Sequence, residues 1–530
     1  MIRNKKIKMI KKIKMIKKDD REEKTKGDIK SRNDKENLII FIALLGISFL
    51  IFIPWLKGHY SLDDYTIESQ GYDIYANYWS LKDGRAIQFL WLKFASLIKM
   101  PVNIFINLNV ILAIIISDLS VILIYNTVLK QKNDLKLINK LFLILISYIT
   151  IFNFTFIDCM YYVESTVMAI SILFCLLSAI KLTNGNALNK KSILLSSLLT
   201  LIAVFCYHGT VCVYITFTYF ILLLEKSDYK KVIAKLFECL LIAVISILLN
   251  YAFMNAALNV LNVSQNRIGS LKEIKSNLLF MKKNTGVVLV SSCTLYPKYL
   301  FLCILAITYI VCSIKLNTKD FLKIILLSFI ALASSSIFFI ITKTSFDCGR
   351  MRMSLGMLIG LIYLIIIERN LVKSNHDKNN KNCKNKYIVN FINFTGVFVI
   401  LIYAISTIIN YEIIMIEQSK VNMLEEKEAK EIYEYVKKYE NEKKISVKKF
   451  VEVIDLSNYS KCYYSQVKTC VNSMNASGIR HYKISYSTIK FYTGIELEYE
   501  KSVMNGTINV NDEKGYECIG DTLFVKVYRV

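Results

Sequence analysis

Apolar residues in this chain gather in blocks instead of alternating with polar ones, and only 3 prolines interrupt 530 residues that are 54% hydrophobic. Blocks long enough to cross about 30 Å of hydrocarbon predict membrane-spanning helices. Eleven such stretches can be read, near 38–57, 102–128, 141–157, 162–180, 192–207, 209–224, 234–256, 299–315, 321–342, 351–367 and 388–411. The segment Ala86 to Lys99 is apolar with Trp91, Lys93 and Lys99 interspersed, and it ends at Pro101. It is too short to span and reads as a helix lying on a membrane surface, as does Leu271 to Met281. After residue 411 the pattern changes. A charged helix over Glu417 to Lys443, continuous with or close behind the last span, precedes alternating runs at Phe450 to Ile454 and Thr522 to Val530 that read as strands. The predicted class is an α-helical polytopic membrane protein with a small C-terminal α+β domain. Its parts are a basic N-terminal segment (1–36), a multi-pass domain (37–411) with loops 58–101 and 257–298, and a soluble domain (412–530).

Charge adds an orientation. Lysine and arginine number 67 against 42 acidic residues, a net charge of +25. Fifteen of the basic residues fall in the first 36, and further basic runs lie at 130–140, 181–191, 225–235, 315–323 and 368–386. With eleven spans every one of these runs lands on the same side, which the positive-inside tendency makes cytoplasmic. The N-terminus is then inside, and the C-terminal domain outside a plasma membrane. Anionic lipid accounts for the basic excess, so no nucleic acid is needed as a partner. The N-terminal repeat of Ile, Lys and Met reads either as a basic amphipathic segment or as translated low-complexity sequence ahead of a start at Met9 or Met15. It is unlike a cleaved signal peptide, because the charged part is long and no small-residue cleavage site follows. The 13 cysteines have no metal spacing. Of the three in the C-terminal domain, Cys462 and Cys470 are the simplest pair for a disulfide, leaving Cys518.

Candidate chemistry concentrates just beyond the first apolar block, where Asp63 and Asp64 stand side by side. A carboxylate within reach of a hydroxyl can take its proton as a new bond forms, and two adjacent acids raise each other's pKa. The plainer reading is two solvated aspartates. Asp64, further into the loop, is the narrow choice for a base. Arginines form the second group: Arg85 after Gly84, Arg350 and Arg352 at the mouth of the ninth and tenth predicted helices, and Arg267 in the second loop. A guanidinium pairs with phosphate through two parallel hydrogen bonds. Snorkelling to headgroups is the competing account, strongest for Arg352. Glu164 and Asp158 are further acidic candidates. His208, in the turn Tyr207-His208-Gly209, reads more readily as a hydrogen-bonded turn residue than as a ligand. Asp118 is expected to be paired inside the bundle. No zinc motif or phosphate-binding glycine loop occurs.

The order of these features, an N-terminal span, then Tyr60-Ser61-Leu62-Asp63-Asp64, then Lys82-Asp83-Gly84-Arg85 leading into an amphipathic surface segment, resembles the bacterial type II glucosyltransferase (Gtr-type) family of the multi-pass GT-C class. The similarity is clearest over 38–130 and holds in layout to about 411. It implies transfer of a hexose from a polyprenyl-phosphate carrier to a glycan acceptor at the outer membrane face, with inversion. It further implies that Asp63 or Asp64 is the base and that Arg85 or Arg350 contacts the lipid phosphate. A divalent cation is optional to such chemistry, and no metal ligand is assigned. Two rivals remain. A polysaccharide polymerase or ligase would use a lipid pyrophosphate-linked oligosaccharide, and a transporter or flippase would need polar or broken helices at mid-membrane, where only Asp118 qualifies.

Overall fold

The computed structural model describes residues 35–129, 137–184, 189–261, 273, 275–279, 299–341, 348–376, 383–456, 459–468, 474–508, 510–511 and 513–528. Two compact units are present, Met1–Leu50 and Ile51–Val530. In the first, the described residues form one helix, 35–50. Everything below concerns the second.

Its helices run in chain order as α1 (Leu62–Gln70), α2 (Ala86–Leu97), α3 (Val102–Leu129), α4 (Leu137–Ile151), α5 (Phe156–Tyr161), α6 (Ser165–Thr183), α7 (Lys190–Tyr207), α8 (Val211–Leu224), α9 (Tyr229–Val260), α10 (Leu300–Lys315), α11 (Thr318–Ile341), α12 (Met353–His376), α13 (Cys383–Lys443) and α14 (Ser485–Thr493). The eleven spans read along the chain are not what the fold contains. Among the described residues six stretches are long and apolar enough to cross a membrane: Val102–Leu129, Ser165–Thr183, Lys190–Leu224, Tyr229–Val260, Gly349–Arg369 and Thr395–Lys443. The expected spans at 141–157 and 299–315 are helices of 15 and 16 residues, short of the roughly 20 that a bilayer requires. The protein is nonetheless a helical membrane protein.

The stretch Lys190–Leu224 folds back on itself. Tyr207 has extended backbone angles and a 3-10 turn, His208–Thr210, follows it. Ser196 and Tyr214 then meet through a 3.0 Å hydroxyl contact, whereas 18 residues of straight helix would hold them about 27 Å apart. Small polar side chains seal α6 against this hairpin: Ser171 donates to the carbonyls of Ala203 and Tyr207, and Ser178 lies 2.7 Å from both Ser196 and Thr200 hydroxyls. Such residues let helix backbones approach closely where no water is available. Asp118 is fully buried in α3 beside Ser117 and Ser120.

The bundle has two charged ends. At one, Arg369 of α12 donates to the Leu223 carbonyl of α8 (2.7 Å) and pairs with Glu368 (3.0 Å) and Asp320 of α11 (3.6 Å). This brings the starts of the basic runs after Leu224 and at Glu368 together with the run at 315–323 at one end. Helix α6, 19 residues and thus about 28 Å long, has Glu164 at its start and Lys181 in its last turn. The surface helix expected at Ala86 to Lys99 is α2, with Leu90, Phe94 and Leu97 exposed along it. Of Leu271 to Met281, residues 273 and 275–279 are described and helical.

Helix α13 is 61 residues long and passes through position 411 without a break into the C-terminal part. That part is a sheet of β1 (Lys449–Asp455), β2 (Glu498–Tyr499), β3 (Val503–Met504), β4 (Tyr516–Ile519) and β5 (Thr522–Tyr528), ordered β2-β1-β5-β4, with β3 also on β1. β1 is parallel to β2, β3 and β5; β4 is antiparallel to β5. Its core joins Phe450, Leu523, Val525 and Val527 to Ala429, Ile432 and Val436 of α13. Cys462 is buried and free, and its expected partner Cys470 lies outside the described residues, as does Arg267.

Candidate functional site

The two aspartates sit in the first turn of α1, not in an open loop, and the helix separates them by about 100° of rotation. Asp64 is turned inward and fully buried. One of its oxygens accepts the Ser61 backbone N–H (2.6 Å) and the Ser61 hydroxyl (2.7 Å), as the third residue of a capped helix does. Burial pushes its carboxyl up from 3.8 to about 8, against the pull of both Ser61 bonds. Asp64 therefore closes the helix start, and Asp63, one step round the helix, is the aspartate beside the arginines.

Asp63 is partly buried and lies near Glu164, Arg350, Tyr75 and Arg85. Burial first, and then the negative charge of Glu164, lift its carboxyl from 3.8 to about 7. Arg350, a hydrogen bond from Tyr75 and Arg85 act the other way. The Tyr75 hydroxyl also lies 3.2 Å from Glu164, so the tyrosine stands between the two acids.

Arg85 reaches this place because Gly84, at φ +74°, turns the chain out of the preceding helical stretch; a Cβ there would also strike Asn250 of α9. Its Nη1 donates to Glu164 at 2.7 Å, its Nη2 lies 3.3 Å from Asp83, and its Nε is buried with no partner among the described residues. Burial works against this charge, and Glu164 and Asp83 more than restore it. Arg350 comes from Gly349–Arg352, a 3-10 turn ahead of α12. Asp158 on α5 accepts its backbone N–H (2.9 Å) and lies 3.4 Å from Nη1. Its guanidinium stands 4.1 Å over the Tyr162 ring.

Tyr207 joins the two arginines. Its hydroxyl accepts from Arg350 Nε at 3.3 Å, and its ring lies 5.0 Å from the Arg85 guanidinium. Residues 63, 85, 158, 164, 207 and 350, spread over nearly 290 positions, thus converge. The resulting surface sets a partly buried carboxyl, raised toward neutrality, beside two caged guanidiniums. It can take a proton at one point and hold an anion at another.

Other candidates fall elsewhere. Arg352 does not snorkel: it is buried and donates Nη1 to Ser336 of α11 at 3.0 Å, because its 3-10 turn points it into the bundle. His208 is half-buried, with its ring 5.8 Å from that of Tyr207. Among the described residues no three His, Cys, Asp or Glu side chains gather as a metal site would need. The tyrosines 75, 162 and 207 escaped sequence reasoning as site members, although Tyr207 and Tyr162 flank positions already singled out. No family model, curated protein or solved structure matches the chain.

Proposed function

We propose that this chain is a membrane glycosyltransferase of the inverting kind, moving a hexose, glucose by its Gtr-type resemblance, from a polyprenyl-phosphate donor to a surface glycan at the outer face of the plasma membrane. The observation that carries the reading is the juxtaposition of Asp63, near neutrality at about 7, with Arg85 and Arg350 around Tyr207. The basic turns gathered at the far end of the bundle support placing this end outside.

In the reaction an acceptor hydroxyl attacks the anomeric carbon of the donor. The new bond is oxygen to carbon; the bond that breaks joins that carbon to the phosphate oxygen. Asp63 as carboxylate takes the hydroxyl proton, and polyprenyl phosphate departs with the electron pair. Arg85 and Arg350 receive the growing negative charge, and the buried Arg85 Nε is a donor still to be satisfied. Donors already fixed in place cost little reorganisation when charge develops. Glu164 and Asp158 hold the two guanidiniums ready and are exchanged in part for phosphate oxygens. Helix α2, with its exposed apolar side and Lys93, lies beside the site where a lipid carrier would approach.

The test is transfer by the purified full chain from synthetic polyprenyl-phosphate hexose, compared with a polyprenyl-pyrophosphate oligosaccharide. Transfer from the monophosphate supports the proposal. Transfer from the pyrophosphate alone would make the chain a polymerase or ligase, and transfer from neither would end the enzyme reading.

A further inference from the structure

The C-terminal module grips the helix that carries Asp63. Three residues on one face of α13, spaced four and three apart, do most of this. Gln418 accepts the Tyr161 hydroxyl (2.8 Å) at the end of α5, accepts the Asn475 N–H (3.2 Å), and donates to the Tyr60 carbonyl (2.8 Å), three positions before Asp63. Asn422 closes both backbone groups of Tyr60, at 3.0 Å each, and donates to the Tyr65 hydroxyl at 2.9 Å. Glu425, buried, accepts the Tyr65 hydroxyl with one oxygen and the Gly478 N–H with the other.

Helix α14 adds a second side. Ser487 bonds Ser69 at 2.7 Å, the Tyr492 and Tyr65 hydroxyls lie 2.8 Å apart, and the Phe491 ring packs on Tyr60 and Tyr65. Leu62 and Tyr65 are packed with Cys462, Ala476, Ile484 and Tyr528, at the carboxyl ends of β1 and β5. In open parallel sheets that crevice commonly receives a ligand; here it receives α1. Gly478 allows the approach, since a Cβ there would collide with Thr488 and crowd Glu425 and Tyr65.

Tyr65 stands two residues after Asp63, about 200° round the helix, so fixing Tyr65 on one side fixes where Asp63 points on the other. Gln418 ties the same scaffold to α5, whose Asp158 holds Arg350. The base and an anion-binding arginine are thus set from one helix face.

We infer that Gln418 and Glu425 are positioning residues for the reaction, and that the C-terminal module is a clamp that holds Asp63 in register with the arginines. This rests on the glycosyltransferase reading of the Asp63 site. It makes the module part of the site, not a separate recognition domain.

The experiment uses the full chain carrying Glu425→Ala, Glu425→Gln, Gln418→Ala or Tyr65→Phe. Amide hydrogen exchange over residues 62–70 and the kcat and KM for donor are measured on each. In Glu425→Ala and Gln418→Ala, exchange over 62–70 should rise while α3 and α6 stay protected. Turnover should fall about 10²-fold, the loss a displacement near 1 Å can cause, with KM for donor unchanged. Glu425→Gln keeps an acceptor for Gly478 and a partner for Tyr65 but sets its amide against that of Asn422, so it should recover part of the turnover. Tyr65→Phe keeps the ring and every C-terminal contact except the hydroxyl's, so it tests the link where Glu425→Ala fails to fold; it should lower kcat and leave KM alone. Unchanged exchange over 62–70, or loosened exchange with unchanged kcat, overturns the clamp. So does a glutamine variant no better than alanine. Should the unmutated chain transfer no hexose, the sugar reading falls and the exchange result alone decides the clamp.

Discussion

Both ends of the helix bundle bury arginine against carboxylate, but they bury them differently. At the Arg369 end the guanidinium makes structural contacts, while its Nε and Nη1 form no hydrogen bond among the described residues. It ties the last turn of α8 through the Leu223 carbonyl and neighbours Glu368 and Asp320, joining α12 to the ends of α8 and α11. A cation at a helix C-terminus is favoured there by the helix dipole. At the Arg85–Arg350 end the arginines are held sideways by Glu164, Asp158 and tyrosine rings. One end holds a single arginine between two carboxylates, and the other holds two arginines with a partly buried acid, Asp63, beside them. Buried ion pairs are weak evidence for stability by themselves; what marks the second end is a carboxyl raised toward neutrality beside two arginines.

The largest expected effect comes from Asp63. If it is the base, Asp63→Asn should lower turnover by roughly 10²- to 10⁴-fold, the usual worth of general-base assistance, with donor binding nearly intact. Steady-state transfer and direct donor-binding measurements separate the two. Next comes Arg350→Lys, which keeps the charge and loses the fork that matches a phosphate. A loss of about tenfold in donor affinity, equal to about 1.4 kcal/mol, is expected, with protein level in the membrane unchanged. An unaltered affinity would make the two ends alike.

Asp64→Asn should barely touch transfer. Its effect lies in stability, and the sign follows from the raised pKa. A carboxyl at about 8 when folded and near 3.8 when unfolded makes the folded state bind the extra proton. Stability is then lost as pH rises from about 4 to about 8. The asparagine variant should lose that dependence, seen as a flatter melting temperature against pH. Arg369→Met is expected to leave transfer per folded molecule unchanged while lowering thermal stability, since removing one partner of a buried pair typically costs about 3–5 kcal/mol. A large loss of specific activity would erase the contrast between the ends.

Much of this was legible in the chain. Apolar blocks announced the membrane, and Asp63, Arg85, Glu164, Asp158 and Arg350 could be named singly. Their meeting could not, because it depends on how α1, α5, α6, α7 and the turn before α12 pack. Which aspartate faces the arginines depends on one step of helix rotation, and that step was hidden by reading 58–101 as a loop. The cue was present: Ser61 and Asp64 have the spacing of a reciprocal helix cap. Span counting failed where apolar helices are short, as in α4 and α10, since composition gives hydrophobicity but not helix ends. Gln418 and Glu425 carried no signal, being ordinary polar residues on a charged helix until Tyr60 and Tyr65 are brought against them.

The account turns on Asp63 working as a base because of its neighbours, and the pH dependence of turnover tests that most directly. A base must be ionised to act, so with its carboxyl raised to about 7 by burial and by Glu164, turnover should climb through pH 7 and level off above it. Glu164→Gln removes a negative charge that raises the Asp63 pKa and leaves Arg85 less neutralised, so both changes move the acid limb to lower pH. Measured on the purified full chain with saturating donor, the account predicts an acid limb near pH 7 in the unmutated protein and a lower one in Glu164→Gln. A profile flat from pH 5 to 9, or a limb that stays in place or moves upward in Glu164→Gln, would contradict it.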